Sequence, residues 1–163
     1  MNYAKIRKLD VTNGEGIGVS LFVQGCHFHC KNCFNKVTWD FDCGKKFTKD
    51  TLNTIISLLN DEHIKRFSIL GGEPLAEKNM YDVLQTIIEI RKNVTDIIIW
   101  VYTGYTFEEV KQLKYGKEIL DNVDTIVDGR YVDELRDLTL EFRGSSNQNI
   151  WKKINNVWVN TTK

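Results

Sequence analysis

Apolar positions fall in short blocks along this chain, and their spacing changes from one block to the next. Residues 3–11 alternate loosely, as a first edge strand would. Val19–Val23 is a compact apolar run, partly β-branched, in the manner of a strand buried on both faces. Leu52, Ile55, Ile56 and Leu59 then repeat at helical spacing behind Thr48, a residue suited to capping a helix. Arg66–Leu70 reads as the next strand and stops at Gly71-Gly72-Glu73-Pro74. Met80, Val83, Leu84, Ile87 and Arg91 trace a second amphipathic helix. Ile97–Val101, the most apolar run, reads as a central strand, and Thr106-x-x-Glu109 spells a capping box for a short third helix. Asp124–Val127 gives another short strand, and Ile150–Val159 a hairpin about Asn155-Asn156, both tolerant of positive φ.

Strands alternating with helices predict an α/β fold of parallel βαβ units with right-handed crossovers. With 163 residues and no repeat or linker, the expectation is one domain spanning 1–163. The polar motifs sit where the strands end, which is where open α/β sheets take ligands.

Lys and Arg total 22, equal to Asp and Glu, so the net charge is zero. That argues against a long-range electrostatic pull toward nucleic acid or a membrane surface. No apolar stretch approaches a membrane span, and Met1–Lys5 opens without a signal-peptide core. The expected location is cytoplasmic. In a reducing compartment, clustered cysteines read as metal ligands or catalytic groups before disulfides.

Three cysteines, Cys26, Cys30 and Cys33, stand at relative positions 0, +4 and +7. On one helix their thiols would form a line about 10 Å long, whereas a loop wraps them into a triangle. Gly25 just ahead gives the chain freedom to turn. Iron–sulfur clusters normally take four thiolates, so three suggest a cluster with one open iron. His27 and His29 invite a second reading, a structural zinc site in a non-catalytic interaction module, although the usual paired ligand couples are absent. Cys43 lies ten residues past Cys33; it reads as a small buried apolar group, because a fourth thiolate would close the open iron. Gly71-Gly72 is either a plain turn or a close approach for a ligand, and Glu73 a solvated charge or an acceptor for an ammonium. Asp128 and Arg130 are either a surface ion pair or ligand contacts. Three glycines between Thr12 and Gly18 read as a flexible turn.

Cys-x-x-x-Cys-x-x-Cys is the signature of the radical S-adenosylmethionine enzymes, and the wider text resembles one branch of them closely. Thr12-Asn13-Gly14-Glu15-Gly16, Leu21–Cys26, Cys33-Phe34-Asn35, Gly71–Leu75, Tyr102–Tyr105, Val127–Arg130 and Arg143–Gln148 follow the order found in activating proteins of anaerobic ribonucleoside-triphosphate reductases. The resemblance implies a compact, truncated partial (β/α) barrel of parallel strands with crossover helices. It implies a [4Fe–4S] cluster on Cys26, Cys30 and Cys33, and S-adenosylmethionine against Asn32, Cys33, Phe34, Gly71, Gly72, Glu73, Thr103, Asp128 and Arg130. The implied chemistry is reductive cleavage of S-adenosylmethionine to a 5′-deoxyadenosyl radical, which takes hydrogen from a backbone glycine of the reductase large subunit. An electron donor such as flavodoxin would supply the electron, and no side chain is required as a general base. Activators of pyruvate formate-lyase-type enzymes are the nearest alternative; that branch often carries an aromatic residue where this chain has Asn32. The resemblance places Thr12–Gly18 near the cluster. Arg143–Gln148 matches the branch almost letter for letter, and its chemistry offers donors suited to a carboxylate, a ribose or a partner backbone.

Overall fold

The computed structural model describes residues 1–163. Eight strands form one mixed sheet: β1 (Asn2–Asp10), β2 (Gly18–Val23), β3 (Lys45–Lys46), β4 (Arg66–Gly71), β5 (Ile98–Tyr102), β6 (Thr125–Asp128), β7 (Asn149–Ile154) and β8 (Val157–Asn160). Their order is β3-β1-β2-β4-β5-β6-β7-β8. The helices are α1 (Lys49–Leu59), α2 (Glu77–Asn93), α3 (Phe107–Gln112) and α4 (Gly116–Asn122).

Only the centre of the sheet is parallel. β2, β4, β5 and β6 pair parallel in steps of one neighbour, each crossover carrying helix. The outer pairs, β1 with β2 and β3, and β7 with β6 and β8, are antiparallel. The all-parallel arrangement expected from the pattern is therefore corrected to a mixed one, because hairpin-like returns close both flanks. β1 also has a partner on each side, so it is not the edge strand its alternation suggested.

Strand alternation divides the sheet into two faces. Val19, Leu21, Val23, Phe67, Ile69, Ile99, Val101 and Ile126 point into a core with residues of all four helices, among them Ile55, Leu59, Val83, Ile87, Val110 and Ile119. Strands added in one direction with right-handed crossovers put every helix on the same side. The residues between them, such as Phe22, Leu70 and Tyr102, face the other way and line a cleft.

Local signals set the ends of these elements. Thr48 accepts the Thr51 N–H at the start of α1, and Thr106 with Glu109 completes the expected capping box of α3. Asn155 and Asn156, at φ of 50° and 62°, make the tight turn between β7 and β8. No helix is long and apolar enough to cross a membrane.

Candidate active site

The cleft lies over the helix-free face of the sheet and has a volume of about 490 Å³. It is built from loops that leave the ends of β2, β4, β5 and β6. After β2 the chain turns at Gly25, with φ of +99°, into the cysteine loop. Gly25 donates its N–H to Thr38 and Cys26 to Trp39, which closes a loop of about a dozen residues. Cys26, Cys30 and Cys33 are all unpaired, partly exposed and open to the same cleft. Burial pushes the Cys26 and Cys30 thiols upward from their usual range. Nowhere do three His, Cys, Asp or Glu side chains converge as ligands of a single ion.

The glycine pair after β4 forms the wall beside Cys26. A Cβ on Gly72 would stand 2.3 Å from the Gly25 carbonyl oxygen and 2.9 Å from that of Thr38. The closest approach there is thus to the cysteine loop's own backbone. Glu73 donates its N–H to the Gly25 carbonyl at 2.7 Å, tying the same two loops together. Its side chain is 1% exposed, and its carboxylate accepts from Leu75 N–H, Thr103 hydroxyl and Gly104 N–H at 2.7–2.8 Å. Burial outweighs those three donors and raises its pKa to about 7.

After β6 comes a strap, residues 129–136, that runs back over the cysteine loop. Arg130 lays its guanidinium 4.3 Å over the Phe28 ring, and Tyr131 packs on Phe34 with ring centroids 5.0 Å apart. Asp133 accepts from the Asn32 amide at 2.7 Å, and Glu134 from the Lys31 ammonium at 3.0 Å. Sequence reasoning missed this strap as a unit, since nothing in the spacing links Lys31-Asn32 to an acidic pair a hundred residues away.

Of the expected site residues, Cys26, Cys30, Cys33, Phe34, Gly71, Gly72, Glu73, Thr103 and Arg130 line the one cleft. Asn32 and Asp128 do not. Asn32 turns outward to Asp133. Asp128 is buried below the cleft floor, its carboxylate filled by donors from Phe107 N–H, Asn149 N–H, the Asn149 amide and the Trp151 indole. It knits β6 to β7 and α3, and forms no ion pair with Arg130.

Cys43 is exposed, donates to Asp40 at 3.3 Å and lies outside the cleft, which corrects the buried apolar role expected for it. The Thr12–Gly16 loop is ordered where its glycines suggested a flexible turn. The buried Asp10 carboxylate accepts from Thr12, Asn13 and Ser20, and Ser68 donates to the Asn13 carbonyl. Burial raises the Asp10 pKa, but hydrogen bonds from Ser20, Asn13 and Thr12 overcome it and hold the carboxyl well below its usual range. Thr12 and Asn13 consequently line the cleft.

A family model described as a 4Fe-4S single cluster domain matches residues 12–151. The chain is 41% identical over 150 residues to the anaerobic ribonucleoside-triphosphate reductase-activating protein of Escherichia coli, covering 91% of this chain and 96% of that one. This chain belongs to that family. The proteins of the same name from Vibrio cholerae and Pasteurella multocida are 39% and 36% identical over 150 and 154 residues. They cover 91% and 93% of this chain, and 96% and 98% of their own lengths. The matched region of the 4Fe-4S family contains the cysteine loop, the Gly-Gly wall and the strap.

Proposed function

We propose that this chain activates an anaerobic ribonucleoside-triphosphate reductase by generating its glycyl radical, with a [4Fe–4S] cluster on Cys26, Cys30 and Cys33 and S-adenosylmethionine beside it. The observation that carries the reading is the union, in one cleft, of three free thiols with the Gly71-Gly72 wall and the buried Glu73 carboxyl. Cluster thiolates bind separate irons bridged by sulfide, so they need not converge on a point, and this donor set fits the group. When bound, the cluster supplies the electron that cleaves the sulfonium of S-adenosylmethionine, giving the radical that takes hydrogen from a glycine of the partner.

The protein's own part is binding, orientation and exclusion of water. Glu73, short of water and facing the cleft, offers a carboxylate to an ammonium; Arg130 offers a cation to a carboxylate. Phe28, Phe34, Phe142 and Trp39 supply apolar walls around the thiols. We read the single winding of helices on one face as a truncated (β/α) barrel of the radical S-adenosylmethionine type. A cytoplasmic setting, which keeps thiols reduced, and a flavodoxin-like donor complete the reading.

Anaerobic reconstitution tests it. With reductant, S-adenosylmethionine and the reductase, the brown protein should yield a glycyl doublet by electron paramagnetic resonance. Alanine at any one of the three cysteines should prevent full cluster occupancy. A signal with a pyruvate formate-lyase but none with the reductase would overturn the partner, and a colourless zinc protein would overturn the chemistry.

A further inference from the structure

Arg143, Gly144 and Gln148 line the cleft, and the Arg143–Gln148 segment is fastened to the strap by side-chain amides. Gln148 donates from Nε2 to the Gly129 carbonyl at 2.9 Å. Its Oε1 accepts from the N–H groups of Gly144 and Ser145 at 2.9 and 3.1 Å, so the amide is fixed at both ends. Asn147 donates from Nδ2 to the Arg130 carbonyl at 2.8 Å, while its Oδ1 accepts from the Ser145 hydroxyl at 2.7 Å. Ser145 is fully buried, and its oxygen accepts the Val132 N–H. Two consecutive strap carbonyls are thus held from behind by two consecutive amides.

We infer that Asn147 and Gln148 are positioning residues that act on the cofactor through the Gly129–Arg130 backbone. The two carbonyls they hold belong to the peptide planes on either side of the Arg130 Cα, so fixing both fixes the direction in which the Arg130 side chain leaves the backbone. That side chain lies over Phe28 and lines the cleft. The inference rests on the proposed ligand role of Arg130.

Asn147→Ala, Gln148→Ala, Arg130→Ala and the Gln148→Ala/Arg130→Ala double variant of the full chain are reconstituted anaerobically. Two quantities are read: iron content, and S-adenosylmethionine affinity by equilibrium dialysis. Asn147→Ala and Gln148→Ala should keep parental iron content and weaken S-adenosylmethionine by roughly tenfold, as loss of one charge-assisted contact would. Gln148→Ala should cost nothing further once Arg130 is alanine. Parental affinity in both single variants, or additive losses in the double variant, would overturn the inference. Unchanged affinity in Arg130→Ala alone would instead refute the ligand role of Arg130, and the inference with it. Circular dichroism monitors folding; if Asn147→Ala does not fold, Gln148→Ala decides, because it leaves Asn147 in place.

Discussion

Glu73 makes the stability of the cofactor-free protein depend on pH in an unusual direction. Its pKa is raised from 4.5 to about 7, chiefly by burial. Between those values the folded protein holds a proton that the unfolded chain has released, so stability falls as pH rises. Over the full window a shift of this size corresponds to about 3 kcal/mol, at 1.36 kcal/mol per unit. The penalty is absent below the unfolded value and complete above the folded one. Glu73→Gln removes the titration while retaining the carbonyl that accepts from Leu75 and Thr103. Urea unfolding of parent and variant, without cluster, at intervals from pH 4.5 to 8 measures the effect. Subtracting the two curves cancels groups that titrate equally in both, including His27, whose pKa moves down through burial and the nearby Arg130. The parent should lose about 3 kcal/mol relative to Glu73→Gln across the window. Parallel curves would refute the claim that burial raises the pKa of this carboxyl to about 7.

Two other substitutions have expected outcomes. Gly72→Ala places a methyl against the Gly25 and Thr38 carbonyls, backbone atoms with little room to give, so it should cost about 3 kcal/mol in denaturant unfolding. It should also lower iron uptake along with cofactor affinity; full iron at parental stability would show that the wall is looser than the distances imply. Cys43→Ser should leave iron content, the reduced-cluster spectrum and S-adenosylmethionine cleavage unchanged, and loss of iron would bring Cys43 into the ligand set.

The parallel centre of the fold was legible because Val19–Val23, Arg66–Leu70 and Ile97–Val101 are apolar runs of strand length separated by helical spacings. The flanks were harder to read. β3 is two lysines long, and no periodicity is defined over two residues. α4 begins at a glycine without a side-chain cap and was not anticipated. At the site, types and spacing singled out the thiols; for the glycine pair and Glu73 they left a plain turn and a solvated charge open, and the resemblance supplied the site role. They could not say that the Gly72 contact is with Gly25, or that Asp128 faces away from the cleft, since one residue's difference in a strand exchanges its faces. Arg143–Gln148 stood out by resemblance alone. Its partners are carbonyls of the strap, and carbonyl groups leave no trace in side-chain identity.

The contacts between strap and cysteine loop also bear on how the metal centre is made and remade. Folding, with four side-chain contacts from Arg130, Tyr131, Asp133 and Glu134, offsets part of the entropy of ordering the loop, which is about 1–2 kcal/mol for each backbone residue fixed. On the proposed ligand assignment, an arriving cluster has correspondingly less of the chain left to organise. None of the four contacts is made by a cysteine: their partners are Phe28, Phe34, Asn32 and Lys31. Replacement of the inorganic part would therefore leave those fastenings standing.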